Sequence, residues 1–319
     1  MSGSFLKWIT CVDVAPYPHE GDEYLVQSRS TYVLKSHDGG MSLGLLLPIV
    51  VDKLRQFDEF LVDDRQRVLK LSSELNTLDK RNQAIARVAG TLRQQDAFDT
   101  LRGWRDELYV VYDDRKAPYF MAERAFCPLL GVVMYGVHII GYVPPNVSSN
   151  GVLKIWVPRR SATKQTYPGM LDNTVAGGLG YPYGLQETCL KECYEEAGLD
   201  PEFVKQNCKS AGVLSYMYQH AREYETEAGL IQPEVEYVYD LTMDEENNIP
   251  HPVDNEAEDF KLMPVDEVLK RLEAGEFKPN CGAVIIDFLI RKGFITPEQE
   301  PNYHEIVARL HRLLPFPTM

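Results

Sequence analysis

The sequence is short of positive charge. Lys and Arg number 33 against 47 Asp and Glu in 319 residues, a net charge of −14. General binding to nucleic acid or to an anionic membrane needs an extended basic surface, so neither is expected as a partner. No stretch of roughly 18 apolar residues, the length that spans a bilayer, occurs. The start, Met1 to Thr10, lacks a basic segment followed by a long apolar one, so no secretory leader is expected. Six cysteines are present (Cys11, Cys127, Cys189, Cys193, Cys208, Cys281) without a Cys-x-x-Cys pair, which argues against a zinc site. They read as free thiols in a reducing cytoplasmic or nuclear compartment. Internal repeats and low-complexity segments are also missing. The composition, 44% hydrophobic and 25% charged, is that of a globular protein with room for two modest domains.

What is present concentrates in residues 176–199. Gly177, Gly178 and Gly180 lead into a short helix carrying Glu192, Glu195 and Glu196. At about 100° per residue the three carboxylates fall within roughly 100° of arc. Like charges that close repel and lose solvation. A hard divalent cation such as Mg²⁺, with Mn²⁺ as a substitute, relieves that cost. Leu190, Cys193, Tyr194 and Ala197 share the opposite arc and are expected to pack on a core, with Cys189 near its border. The acidic face would then look into a cleft. The glycines let the backbone approach a ligand closely, and Gly198 stands where a left-handed residue closes a helix. A solvated acidic face is the alternative for any charge run.

The segment resembles the Nudix box, a diphosphate-hydrolase signature. Gly177 stands at its opening Gly, and Lys191-Glu192-Cys193-Tyr194-Glu195-Glu196-Ala197-Gly198-Leu199 matches its second half in register. Two positions depart from the pattern: Tyr183 replaces the first Glu and Lys191 replaces the Arg. That pair braces loop and helix in the family, so its joint loss is self-consistent. Glu187 lies on another side of the helix and suits the first-turn dipole better than a metal.

Residues 1–115 read as a smaller, mainly helical N-terminal domain. Pro48–Asn76 and Asp79–Glu107 carry apolar residues at helical spacing, for example Leu54, Phe57, Phe60 and Leu61. Residues 116–319 read as the Nudix domain. Strands are expected at Tyr119–Ala125, Gly131–Val143, Val152–Val157, Leu171–Val175, Lys209–Gln219, Val235–Leu241 and Phe260–Met263. Helices are expected up to Ala197, at Pro264–Ala274 and at Ala283–Lys292. The fold class is α/β, an α/β/α sandwich on a mixed sheet.

Three further segments (153–173, 232–241 and 275–281) make residues 115–295 look like the thiamine-pyrophosphokinase-related Nudix subfamily of fungi and plants, whose members carry an extra N-terminal domain. No second catalytic domain the size of a kinase remains in the chain. Independently of that likeness, Lys154, Arg159, Arg160 and Lys164 form a patch free of acidic residues, suited to phosphate oxygens. A charged strand edge is the alternative reading. In an extended chain Arg159 and Arg160 point to opposite faces, so one of them should reach the cleft.

The resemblance implies a metal set of Glu192, Glu195, Glu196 and the Gly177 carbonyl, with Gly178 beside the substrate. It also implies a later Glu that completes the site or acts as base, Glu256 first and Glu258 second. The reaction would be metal-assisted hydrolysis of a small organic diphosphate, with Glu192 or Glu256 taking the proton. The subfamily points to thiamine diphosphate or its oxidised analogues, cleaved to the monophosphate and phosphate. Tyr167, Tyr181 and Tyr183 are available to stack on a ring. Another nucleoside-diphosphate-linked substrate, a non-catalytic diphosphate-binding module, and a diphosphate isomerase are the competing readings. The N-terminal region could cap the cleft, recognise the organic group or mediate a homodimer.

Overall fold

The computed structural model describes residues 4–164, 166–220 and 227–319. Helix α1 (Leu6–Val12) and helix α2 (Asp22–Ser30) precede a small sheet built from β1 (Tyr32–Lys35), β2 (Ser42–Leu46), β3 (Phe60–Asp63) and β4 (Val68–Leu71), with α3 (Pro48–Leu54) between β2 and β3. The order is β2-β1-β4-β3. Helix α4 (Leu78–Gln94) follows. Its Thr77 cap accepts a hydrogen bond from the Lys80 amide at 3.3 Å, and Ile85, Val88, Ala89 and Leu92 form its buried stripe. That stripe joins a core containing Leu34, Leu46, Val51, Leu69 and Phe120.

α-Helices supply more residues than strands before residue 115, yet the region is organised around a sheet. The helix expected across residues 48–76 is corrected to α3 followed by the β3–β4 hairpin. The apolar spacing there crosses a helix end. Phe60 is buried while Leu61 is 50% exposed, the alternation of a strand. The boundary drawn at residue 115 falls in the turn between β5 (Leu108–Tyr112) and β6 (Pro118–Glu123), which pair antiparallel across it. Pro118 opens the second strand of that hairpin.

After the short helix α5 (Cys127–Leu130) comes β7 (Met134–Val143), buried along nearly its whole length as befits a strand covered on both faces. The rest of its sheet is β8 (Lys154–Arg160), β9 (Val175–Gly178), β10 (Cys208–Gln219), β11 (Ile231–Thr242) and β12 (Ala257–Pro264). The order is β10-β11-β7-β8-β12, with β9 pairing β7; β11 runs parallel to β7 and β9 antiparallel. Helices α6 (Leu185–Ala197) and α7 (Pro201–Asn207) cover one face through Cys193, Ala197 and Val204. Helices α8 (Val265–Glu273), α9 (Pro279–Arg291) and α10 (Tyr303–Leu310) cover the other through Val268, Ile285 and Ile306. This is the expected α/β/α sandwich.

The strand expected at Leu171–Val175 is shifted to β9, so Gly177 and Gly178 form a ladder with Val137 and Gly136 rather than a free loop. Helix α1 belongs to the sandwich despite its place in the chain. Trp8 Nε1 donates to the Leu272 carbonyl at 3.2 Å, and Asp13 pairs with Arg312 at 2.8 Å. A Cβ on Gly282 of α9 would stand 2.5 Å from the Trp8 ring, so this close helix contact requires glycine there.

Candidate active site

Helix α6 is positioned at both ends. Its Gly184 amide donates to Glu187 Oε2 at 2.9 Å, so Glu187 caps the helix. Gly198 closes the helix in the left-handed region at φ 64°, with Leu199 N donating to the Cys193 carbonyl at 3.1 Å. Cys189, Cys193 and Ala197 are buried against Val137, Ile139 and Leu241, and Leu190 packs beside them. The expectation for Tyr194 is corrected: it is 59% exposed, and Cys189 takes the core position.

With its back fixed, α6 presents Glu192 and Glu196 to the β9 backbone. Glu196 Oε2 accepts from the Ala176 amide at 3.3 Å. Glu192 lies so close to Gly177 that a Cβ there would stand 2.4 Å from its Cγ and Cδ. Lys191 Nζ lies 3.0 Å from Glu192 and 2.9 Å from Glu195, and 5.9 Å from the centre of the Tyr183 ring. The two departures from the box pattern therefore meet each other, as a cation over an aromatic face.

The loop before β12 supplies the facing carboxylates. Oxygens of Glu196, Asp254 and Glu256 lie within 4.8 Å of one another. Burial, together with Glu192, Glu256 and Asp172, pushes the Glu196 carboxyl well above its usual range. Burial also raises Glu192, against the opposing pull of Lys191. Glu256 is held down instead, because Lys164 at 2.6 Å outweighs its burial. Glu258 points elsewhere and accepts from the Ala162 amide at 3.0 Å.

Glu192, Glu195, Glu196, Asp254 and Glu256 border a cleft of about 650 Å³. Of the basic patch, Arg160 and Lys164 line it; Lys154 and Arg159 do not. Lys154 pairs with Glu245 at 2.8 Å, and Arg159 donates to the Gly169 carbonyl at 2.7 Å. Strand alternation thus sends Arg160 inward and Arg159 outward. Arg160 is itself tied to Asp172 at 2.5 Å and to the Thr166 carbonyl at 3.0 Å. Gly177 and Gly178 form one wall.

Sequence reasoning missed Arg105, Arg124, Asp254 and Lys278, which also line the cleft. Lys278 lay in a segment already singled out, and Asp254 stood two residues from Glu256. Arg105 and Arg124 had no local signal. Arg105 and Glu107 come from the N-terminal region, where Glu107 pairs with Arg124 at 3.0 Å. Of the thiols, Cys281 is buried, 2.6 Å from Asp172.

Comparison with known proteins gives the family. The family described as NUDIX domain matches residues 147–281, and the family described as Domain of unknown function (DUF4743) matches residues 27–134. An uncharacterized protein of Saccharomyces cerevisiae is 42% identical over 99% of this chain and 93% of its own. Nudix hydrolase 20, chloroplastic, of Arabidopsis thaliana is 33% identical over 85% of this chain and 74% of its own. Nudix hydrolase 24, chloroplastic, from the same plant is 33% identical over 90% and 80%. With a matched Nudix domain and relatives that align over most of both chains, this protein belongs to the Nudix hydrolase family, enzymes that act on diphosphates.

Proposed function

We propose that the cleft hydrolyses an organic diphosphate, with thiamine diphosphate or its oxidised analogues as substrate and the monophosphate and phosphate as products. The observation that carries the chemistry is the cluster of Glu196, Asp254 and Glu256 oxygens within 4.8 Å, set against Lys164, Arg160, Arg124 and Lys278 in one cleft. Support for the thiamine compounds comes from the sequence likeness of residues 153–173, 232–241 and 275–281.

Crowded carboxylates with one member pushed up in pKa fit a hard divalent ion, Mg²⁺ or Mn²⁺. Glu196, Asp254 and Glu256 would hold it, with Glu192, Glu195 and the Gly177 carbonyl as further oxygen donors. A bound ion of this kind neutralises phosphate charge and acidifies water. The chain's own groups do the rest. Lys164, Arg124 and Lys278 bind the phosphate oxygens, and Arg160 fixes the loop that carries Thr166. Glu192, which lines the cleft beside Gly177, takes the proton of the attacking water. The new bond joins water oxygen to the terminal phosphorus. The bridging P–O bond breaks, and its electrons leave with the monophosphate.

The test is cleavage of thiamine diphosphate and its oxidised analogues, read as monophosphate and free phosphate, beside ADP-ribose, NADH and a nucleotide sugar, read as the two monophosphate esters each would give. Glu196→Gln should lower kcat/KM by at least about 100-fold while the fold persists. Near-normal turnover in that variant would overturn the assignment. Faster cleavage of ADP-ribose would remove the thiamine proposal and leave the hydrolase. Tight diphosphate binding with no cleavage would make the protein a binding module.

A further inference from the structure

Two of the segments singled out in the sequence, 232–241 and 275–281, meet at a second cavity of about 260 Å³ that shares Arg124, Thr166 and Lys278 with the catalytic cleft. Beyond this basic neck the character changes. The cavity's walls include the side chains of Tyr167, Tyr218 and His220, and its polar groups are Gln232, Glu234 and Asn280. The Tyr218 and His220 rings are tilted against each other at 5.4 Å. Glu234 is held in place, because Tyr216 Oη and Gln232 Nε2 both donate to it. Gln232 in turn pairs with His220 at 2.9 Å.

A second observation points to a ligand. Glu236 is 7% exposed, and its Oε2 has no hydrogen-bond partner among the described residues. Its nearest cation is His138 Nε2, at 3.5 Å. It lines a smaller cavity of about 140 Å³ that also touches Glu234, Gly136, Gly177 and Gly178. A Cβ on Gly136 would stand 2.2 Å from that oxygen, so the space is left by a glycine. That oxygen faces the smaller cavity rather than the one bordered by Tyr167, Tyr218 and His220, and a donor reaching past Glu234 would complete its partial pairing with His138.

On the diphosphate-hydrolase reading, we infer that this side cavity seats the organic half of the substrate and selects an aromatic nitrogen heterocycle carrying an amino group, with Glu234 as the residue that reads it. A planar ring fits between aromatic walls, and its amino N–H is answered by a fixed carboxylate. Burial and the neighbouring Glu236 push the Glu234 carboxyl up to about 7, so above that pH a ring offering only carbonyl oxygens meets it acceptor to acceptor and is rejected. The basic neck holds the diphosphate at the entrance, so the heterocycle and the reacting phosphorus occupy different cavities. The stacking role assigned to three tyrosines is thereby corrected: Tyr167 borders the cavity, whereas Tyr181 and Tyr183 are 52% and 48% exposed and border neither cavity.

The test separates binding from turnover by using unphosphorylated probes. Thiamine and adenosine each carry an amino group beside a ring nitrogen, and 3-methyluridine carries ring carbonyls without a ring N–H. Calorimetric titration of the full chain, at a pH where Glu234 is ionised, should give a Kd for one or both amino heterocycles at least about tenfold below that for 3-methyluridine. Glu234→Ala should remove that preference, and Glu234→Gln, which keeps the volume and the Tyr216 contact, should reduce it. Gln232→Leu, at the wall, should weaken binding in the same direction without removing Glu234. Equal binding of all three probes, or a preference that survives both Glu234 variants, overturns the inference. Failure of the wild-type protein to cleave any diphosphate overturns the proposed function alone, because the titrations need no turnover.

Discussion

Gly177→Ala tests whether the close approach of β9 to α6 sets the activity. The backbone at Gly177 is not in the left-handed region, so alanine is allowed by conformation. The obstacle is contact: the new Cβ would stand 2.4 Å from Glu192 Cγ and Cδ, whereas ordinary contacts begin near 3.4 Å. Glu192 must retreat by about 1 Å, yet it is held by Lys191 at 3.0 Å and its side chain is 14% exposed. Overpacking of this kind costs about 1–3 kcal/mol. That corresponds to a fall in Tm of roughly 2–10 °C for a domain of this size. A displacement near 1 Å at reacting groups costs on the order of 100-fold in rate. The expected result is therefore a kcat reduced by roughly 10- to 100-fold with a modest loss of stability, read by phosphate release and calorimetry on the same sample. A variant with kcat/KM within about twofold of wild type would refute the claim that Glu192 is fixed by this contact.

Gly90→Ala, in α4, should do the reverse. Nothing lies within 4 Å of the added methyl, so helix stability should rise by about 0.5–1 kcal/mol with activity unchanged. Gly198→Ala should destabilise by about 1–2 kcal/mol from its φ alone. The His251 ring, 2.3 Å from the new Cβ, adds to that loss. His251→Ala in the same chain should recover part of it in urea unfolding, and no recovery would discount the contact. Asp172 has its pKa lowered from 3.8 to about 2, since Lys278 and Arg160 outweigh its burial. A depressed carboxyl stabilises the fold above the unfolded value and loses that contribution as pH falls through the folded one. About 2 kcal/mol should therefore disappear between roughly pH 4 and pH 2. Asp172→Asn should be less stable at neutral pH and should lose less stability across that window; an unchanged pH slope would contradict the assignment.

The second half of the chain was legible because its signals are local and periodic. Long β-branched runs such as Met134–Val143 are buried on both faces, and α6 has an apolar side, a cap and a stop within a short span. The carboxylate face could be read for the same reason. The small sheet before residue 115 could not. Its strands are only four or five residues long, and β1 pairs with β4 in parallel across two intervening strands and a helix. Local spacing carries no trace of that pairing. Tyr194 shows the limit of helical-wheel reasoning: its arc was right for an apolar face, but the core contacts of α6 are made by Cys189, Cys193 and Ala197. Lys154 and Arg159 show another limit. Both match the patch by charge, but each is already paired outside the cleft.

The least legible part of the site is the contribution of the chain before residue 125. Tyr109 lies against Gly178, whose Cβ would stand 1.7 Å from the tyrosine oxygen, and Glu107 lies against Gly180 in the same way at 2.6 Å. The Tyr181 amide donates to the Leu108 carbonyl at 2.8 Å. So Gly178 and Gly180 leave room for protein: they let the β5 segment dock onto the strand that faces α6. Through that docking Arg105 and Arg124 reach the cleft and, with Lys278, place positive charge opposite a carboxylate face in an otherwise acidic protein. A box-bearing domain read alone would lack Arg105 and the Glu107 partner that positions Arg124, so the cleft is a joint product of both sequence regions.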